Sequence, residues 1–401
     1  MKLRTFVPAL GAAVALCAFA GLDGSYVLPA DHSAIGYNKT AAQDAVSRLA
    51  RRIASGETRL TYDTTFGYLP SLLQALHVPE SSQILVFSKT SFQAPRISPR
   101  MPRALYFNDE VSVGYVRGGD VLELAAVDPK LGVVFYTLDQ ERLSRPKVDR
   151  QEQCLQCHAA GSTLGVPGLV IRSVYPDRHG MPIFHAGTFL SDHRSPLEQR
   201  WGGWYVSGSA GGAKHMGNTI DGQGRRDITD LKEYFDTGAY LRPSSDIVAL
   251  MVVEHQTRMT NLITRVGWET RMALHDREVM NKALGDAPGT ASESTDRRIN
   301  NAVEELVKYM LFTDETPLTA PVTGASGFAE EYSKMGPRDK KGRSLRELDL
   351  KTRLLRYRCS PLIYSEAFRG LPDVARRRTL ARVRGLAGPE VVEILRDTGV
   401  L

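Results

Sequence analysis

Cysteine is scarce: the 401 residues hold four. So few exclude a disulfide scaffold. No sign of charge dominates either. Lys and Arg number 51 against 45 Asp and Glu, a formal charge of +6, and Lys2 and Arg4 place two of those cations within the first four residues. A surplus that small, spread so widely, lacks the one-faced concentration that nucleic acid demands. Beyond the first 22 residues no uncharged apolar run is long enough to span a bilayer, so the mature chain is expected to cross no membrane. Internal repeats are also missing. What is present is the composition of a folded globular protein, with 42% hydrophobic and 24% charged residues. The length suits one large domain or about two to three ordinary ones.

The first twenty residues have three zones. Lys2 and Arg4 are followed by an apolar stretch from Phe6 to Phe19, and Ala18-Phe19-Ala20 supplies a small-x-small cleavage site. This is the plan of a secretory signal peptide over 1–20. The competing reading is a retained anchor, with an uncharged run from Thr5 to Leu22 broken by Pro8, Gly11 and Gly21. Leu16 before Cys17 is too large for a lipoprotein site. Cleavage after Ala20 leaves Cys154, Cys157 and Cys359, in an exported, periplasmic protein.

Ala42, Ala45, Val46, Leu49 and Ile53 recur at helical spacing and predict a helix over Ala41–Ala54. Leu69–Leu76 reads as a second, shorter one. Five β-branched or aromatic runs follow: 83–88, 104–107, 111–116, 121–127 and 132–138. Asn108-Asp109, Gly118-Gly119-Asp120 and Asp128-Pro129 separate them as turns, which predicts an antiparallel meander. Leu169–Tyr175 is strand-like. Ser or Asp of Pro243-Ser244-Ser245-Asp246 caps a long amphipathic helix from Ile247 to His275. Further helical stretches are expected at 296–312, 345–356, 365–368 and 374–385. The fold class is therefore α+β: an antiparallel β-rich N-terminal part, then a mainly helical C-terminal part.

Chemistry concentrates in Gln153-Cys154-Leu155-Gln156-Cys157-His158, a C-x-x-C-H motif. Behind an export signal this spacing reads as covalent haem attachment. Two thiols on one helical turn reach two porphyrin vinyl groups, and the next residue offers an imidazole to the iron. A zinc half-site and a redox dithiol compete. Zinc needs further ligands and no second C-x-x-C exists; a redox dithiol expects a thioredoxin-like setting that is not visible.

In these residues the chain resembles the c-type cytochromes. Gly165-Val166-Pro167-Gly168-Leu169 adds a looser likeness to the loop that follows the motif in small cytochromes c. The resemblance implies one covalent haem c, with Cys154 and Cys157 as thioether cysteines and His158 as proximal ligand. It covers well under a tenth of the chain. The organisation follows: 1–20 leader, 21–150 an α/β region with antiparallel strands, 151–243 the haem-binding segment and 244–401 the helical region.

The distal position decides between carrier and enzyme. Met216 and His215 lie in the Gly-rich stretch 211–218, and Met216 falls 58 residues after His158 as in small cytochromes c. Other candidates are His179, His185 and His193. His255, flanked by Met251 and Met259, reads first as core. Arg172, Arg178, Arg194 and Arg200 are candidate partners for haem propionates. Trp201 and Trp204, around two glycines, line a haem pocket or are core residues of a strand with a bulge. Arg376, Arg377, Arg378, Arg382 and Arg384 form a basic helix face, a solvated surface or a dock for an acidic redox partner. Cys359 reads as a buried small hydrophobe.

The sequence thus leads to an exported monohaem c-type cytochrome that transfers electrons with a redox partner protein. The alternatives are a haem enzyme acting on peroxide, oxygen or a small oxidisable substrate, and a haem-based sensing or docking protein. No acid/base pair stands out, so no catalytic residue is assigned.

Overall fold

The computed structural model describes residues 26–224, 228 and 230–401. The leader and the expected cleavage site at Ala20 lie outside the described residues. An antiparallel sheet organises the first half. Its meander is β1 (Ile84–Val86), β2 (Arg103–Phe107), β3 (Val111–Tyr115), β4 (Val121–Asp128), β5 (Gly132–Asp139) and β6 (Val148–Arg150). Turn chemistry sets the register. Asn108 Oδ1 accepts from Glu110 N and Val111 N, and Asp128 Oδ1 accepts from Lys130 N and Leu131 N. A separate ribbon pairs β7 (Arg172–Val174) with β8 (Thr188–Leu190). β9 (Trp204–Tyr205) then pairs antiparallel with β1 and extends the main sheet, and β10 (Thr219–Ile220) pairs with β11 (Gln223–Gly224).

The sheet has two different faces. Leu122, Leu124 and Ala126 of β4 point, with Val134, Tyr136 and Leu138 of β5, into a core shared with α1 (Ala45–Ser55) and α2 (Leu69–Ala75). The opposite face carries Glu123, Ala125 and Phe135, and there the C-x-x-C-H motif and the long helix sit.

The motif forms α3 (Leu155–His158). The second half is built on α4 (Ile247–Leu284), with α5 (Glu293–Met310), α6 (Phe328–Lys334), α7 (Glu366–Arg369), α8 (Asp373–Leu386) and α9 (Pro389–Asp397) around it. Asp246 caps α4 through Val248 N and Ala249 N, and left-handed Gly285 ends it. Most of α4 from Ile247 to Ala273 is buried all round, so it is a core helix, where the sequence suggested an amphipathic one. Among the described residues no helix is long and apolar enough to cross a membrane.

The α+β class and the order of its halves hold. Four local expectations change. The helix expected to end at His275 runs on to Leu284, and α5 starts earlier, at Glu293, because Ser292 caps it. α9 went unrecognised. Residues 345–356 are not helical: Asp349 Oδ1 accepts from Lys351 N and Thr352 N, and Leu350 takes φ 56°, so the chain reverses there.

Candidate functional site

The chain leaves β6 beside β5, where Gln151 N donates to Phe135 O at 2.8 Å. One 3-10 turn, Glu152–Cys154, then leads into α3. Cys154 and Cys157 therefore stand on successive turns of the same short helical stretch. Cys157 is exposed and Cys154 and His158 are half-buried. No disulfide joins Cys154, Cys157 or Cys359.

His158 is held by its own loop. Its Nδ1 lies 2.9 Å from Gly168 O, and Gly168 N returns a bond of 2.9 Å to His158 O. A carbonyl only accepts, so Nδ1 carries the proton and Nε2 keeps the lone pair. The ring also packs 4.8 Å from Phe135, centroid to centroid. Burial holds its pKa below the usual value, and Arg103 and Arg172 push the same way against Glu123. A neutral imidazole is the form a metal needs. Burial raises the Cys154 thiol, with Glu123 adding to it.

The loop itself is pinned to α4. Asn261 Oδ1 accepts from Leu169 N at 3.0 Å, and its Nδ2 donates to Leu169 O at 2.7 Å. A Cβ at position 168 would collide with Asn261 Oδ1, so Gly168 is required by this close approach. Arg265 Nη1 donates to Leu164 O at 2.6 Å. Ala125, Val133 and Phe135 form an apolar floor with Cys154, Leu155 and Leu169.

The four arginines separate cleanly. Arg178 contacts His179, Arg194 pairs with Asp192 at 2.7 Å, and Arg200 pairs with Glu254 at 3.2 Å. Arg172 is half-buried, which holds its pKa below the usual value, and has no ion-pair partner among the described residues. Leu190 stands opposite it in the β7–β8 register, and Leu190, Tyr175 and Phe184 are exposed apolar side chains of this ribbon region.

Met216 and His215 differ. Met216 is half-buried, with Sδ 3.5 Å from Ser173 Oγ and its methyl against Gly202. His215 is buried, edge-on to Trp201 at 5.3 Å. Trp201 and Trp204 are core, and Gly202 and Gly203 let the backbone pass β7 and Ser88 closely. His179 and His185 are exposed.

His193 and His255 come together, away from solvent. Their Nδ1 atoms are 2.8 Å apart, His255 Nε2 meets Ser360 Oγ at 2.8 Å, and His193 Nε2 is buried without a partner. Tyr309 and Phe312 stack on the His193 ring at 4.1 and 4.5 Å. Burial holds His255 down at about 3, against Asp192, and depresses His193 further, with Arg194, Arg200 and Arg258 also opposing a charge on His193. Beside them burial lifts Glu254 to about 8, against the Arg200 guanidinium.

No family model, curated protein or solved structure matches the chain.

The donor set at the motif can therefore be judged on geometry alone. Among the described residues, one trio of His, Cys, Asp or Glu ligand atoms lies within 4.8 Å of each other: His32, His275 and Asp276. Cys154, Cys157 and His158 do not converge in this way. Zinc requires convergence on one point; a porphyrin requires thiols and imidazole spread over its edge and centre. Two thiols outside any disulfide and an imidazole whose Nε2 carries no proton are the donor types a covalent haem takes. In the other trio, His32 Nδ1 accepts from Ala34 N, so Nε2 carries the proton and donates to Asp276 at 3.3 Å. That is an ordinary hydrogen bond. Sequence reasoning missed Asn261 and the pairing of His193 with His255, because neither leaves a local signal.

Proposed function

We propose that the chain is an exported monohaem c-type cytochrome that binds haem covalently through Cys154 and Cys157, ligates it with His158 and transfers electrons with a redox partner protein. The observation that carries this reading is the His158 tautomer: Nδ1–H is committed to Gly168 O and Nε2 is left bare, beside two thiols outside any disulfide. When bound, the haem supplies a one-electron iron couple. The chain's own residues do the rest. Gly168 and Phe135 fix the imidazole plane. The apolar floor at Ala125 and Phe135 excludes water from one side. Arg172 offers an uncommitted guanidinium to a carboxylate. Met216 is preferred to His215 as distal ligand, since its thioether is half-buried while the His215 ring is enclosed.

Production with a haem-maturation system tests the reading. The protein should retain haem through acid-acetone extraction and in a denaturing gel, and Cys154→Ala/Cys157→Ala should lose it. Haem that extracts into acid-acetone sinks the proposal. Met216→Ala should turn a low-spin spectrum high-spin. A native protein that is already high-spin and binds cyanide at once favours the second reading, a haem enzyme. One feature supports that alternative: a cavity of about 20 Å³ against Ala125 and Leu169, the neighbours of Cys154, sized for a very small molecule.

A further inference from the structure

A cleft of about 260 Å³ opens where the β2–β3 turn, α4 and α6 meet. Phe107, Phe328, Tyr332 and Met335 make one wall apolar; Asp109, Glu110 and Gln256 make the other polar. Its charges do not balance. The lining holds two basic side chains, His77 and Arg346, and Arg346 is committed: it pairs with Asp109 and lies over the Tyr332 ring at 4.9 Å. Glu110 has no ion-pair partner among the described residues. Its Oε1 accepts a long bond of 3.4 Å from Glu366 N, and Asp109 and Glu366 surround it with like charge. Burial raises the Glu110 pKa; Arg48, whose charge opposes that rise, is paired with Glu366 at 3.2 Å. Gln256 is 7% exposed; its Nε2 donates to Asp109 at 2.8 Å, and its Oε1 is buried with no donor. That bond to Asp109 also fixes which way the amide faces.

An unmatched carboxylate and an unmatched buried acceptor, next to aromatic walls, call for the same partner. It is a positively charged N–H donor carried on an apolar body. We propose that this cleft binds a small primary amine, its ammonium toward Glu110 and Gln256 and its aromatic or alkyl body against Phe107, Phe328 and Tyr332. A carboxylic acid would meet Glu110 and Asp109 as like charge. An alcohol could satisfy Gln256 but would leave Glu110 unmatched. Phe107, Asp109, Glu110 and Gln256 also line the smaller cavity that reaches Ala125 and Leu169, so the two cavities share a wall along the seam between sheet and α4. The proposal stands whether or not haem is attached.

Calorimetric titration of the full chain near neutral pH with 2-phenylethylamine, 2-phenylethanol and phenylacetate tests it. The amine should bind at least about tenfold more tightly than the alcohol, and the acid not measurably. Glu110→Gln should bring amine and alcohol to equal affinity while leaving the alcohol's own affinity unchanged. Met335→Trp, on the half-exposed rim, should block both probes. The proposal is overturned if no probe binds at about 10 mM, if the acid binds as well as the amine, or if either variant leaves the amine affinity unaltered. Haem staining of the same variants should not change, so loss of amine binding and failure of the haem reading are told apart.

Discussion

A neutral imidazole has one proton to place, and in His158 the Gly168 carbonyl takes it. The motif's spacing was legible in the sequence because its residues are consecutive. Which of four arginines is left uncommitted was not legible, because commitment is a tertiary property: Arg194 and Arg200 are tied to acids and Arg172 is not. Two outcomes follow at this scale. In protein prepared without haem, Cys154 and Cys157 should react with a thiol reagent. After haem attachment both should be blocked. Cys359, fully buried with its thiol pushed up to about 12, should react only on unfolding. Thiol counts that match before and after attachment would refute the thioether assignment. Arg172→Gln removes a cation that opposes ferric charge, so the reduction potential should fall by some tens of millivolts, on the order of one 59 mV decade. Spectroelectrochemical titration reads this directly, and an unmoved potential would place the propionates elsewhere.

Strands were easier to read than helices, and the reason is visible in particular elements. β4 and β5 alternate between the α1/α2 core and the motif face, and their turns carry Asn108 and Asp128 as local hydrogen-bond acceptors. β9 was legible as a strand at Trp204–Tyr205, but its place in the main sheet was not, because its partner β1 lies more than a hundred residues earlier, with no turn to signal the pairing. In 345–356 the apolar spacing suggested a helix, yet the Asp349 carboxylate gathers the following amides and turns the chain back. α4 reads as a helix from its pattern, but its hold on the 164–169 loop rests on two side chains, Asn261 and Arg265, of which Asn261 alone clamps both backbone groups of Leu169. Asn261→Leu would leave Leu169 N and O without partners, which should cost about 2–4 kcal/mol. Urea unfolding of wild type and variant measures the loss. A change below about 0.5 kcal/mol, the scatter of neutral surface substitutions, would mean the loop is held without this clamp.

At the scale of the whole molecule, the buried polar groups between the 191–200 segment, α4 and α5 set how stability responds to pH. His255 titrates near 3 when folded and near its usual 6.5 when unfolded, and His193 is depressed in the same direction. The unfolded chain therefore binds up to two more protons than the native one as pH falls below 6.5. Their stabilising contribution is complete above that pH and is lost on acidification. Glu254 acts in the opposite sense. Its folded value of about 8 lies above its usual 4.5, so the native protein holds an extra proton between those limits, and stability falls as pH rises through them. Each uncompensated proton is worth about 1.4 kcal/mol per pH unit. Between 4.5 and 6.5 the two histidines outweigh the one carboxyl, so stability rises with pH. From 6.5 to 8 only the carboxyl acts, and stability declines. These three groups by themselves favour a stability maximum near pH 6.5, with the acid limb steepening below 4.5, where Glu254 no longer offsets the histidines and Asp192, held below its usual range by Arg194 against burial, adds to it. Urea unfolding across pH resolves the limbs by substitution. His193→Phe with His255→Phe keeps the ring stack and should flatten the acid limb by close to two protons, and Glu254→Gln should remove the decline between 6.5 and 8. An acid limb unchanged in the double variant would show that the histidines are already charged, or already exposed, in the folded protein.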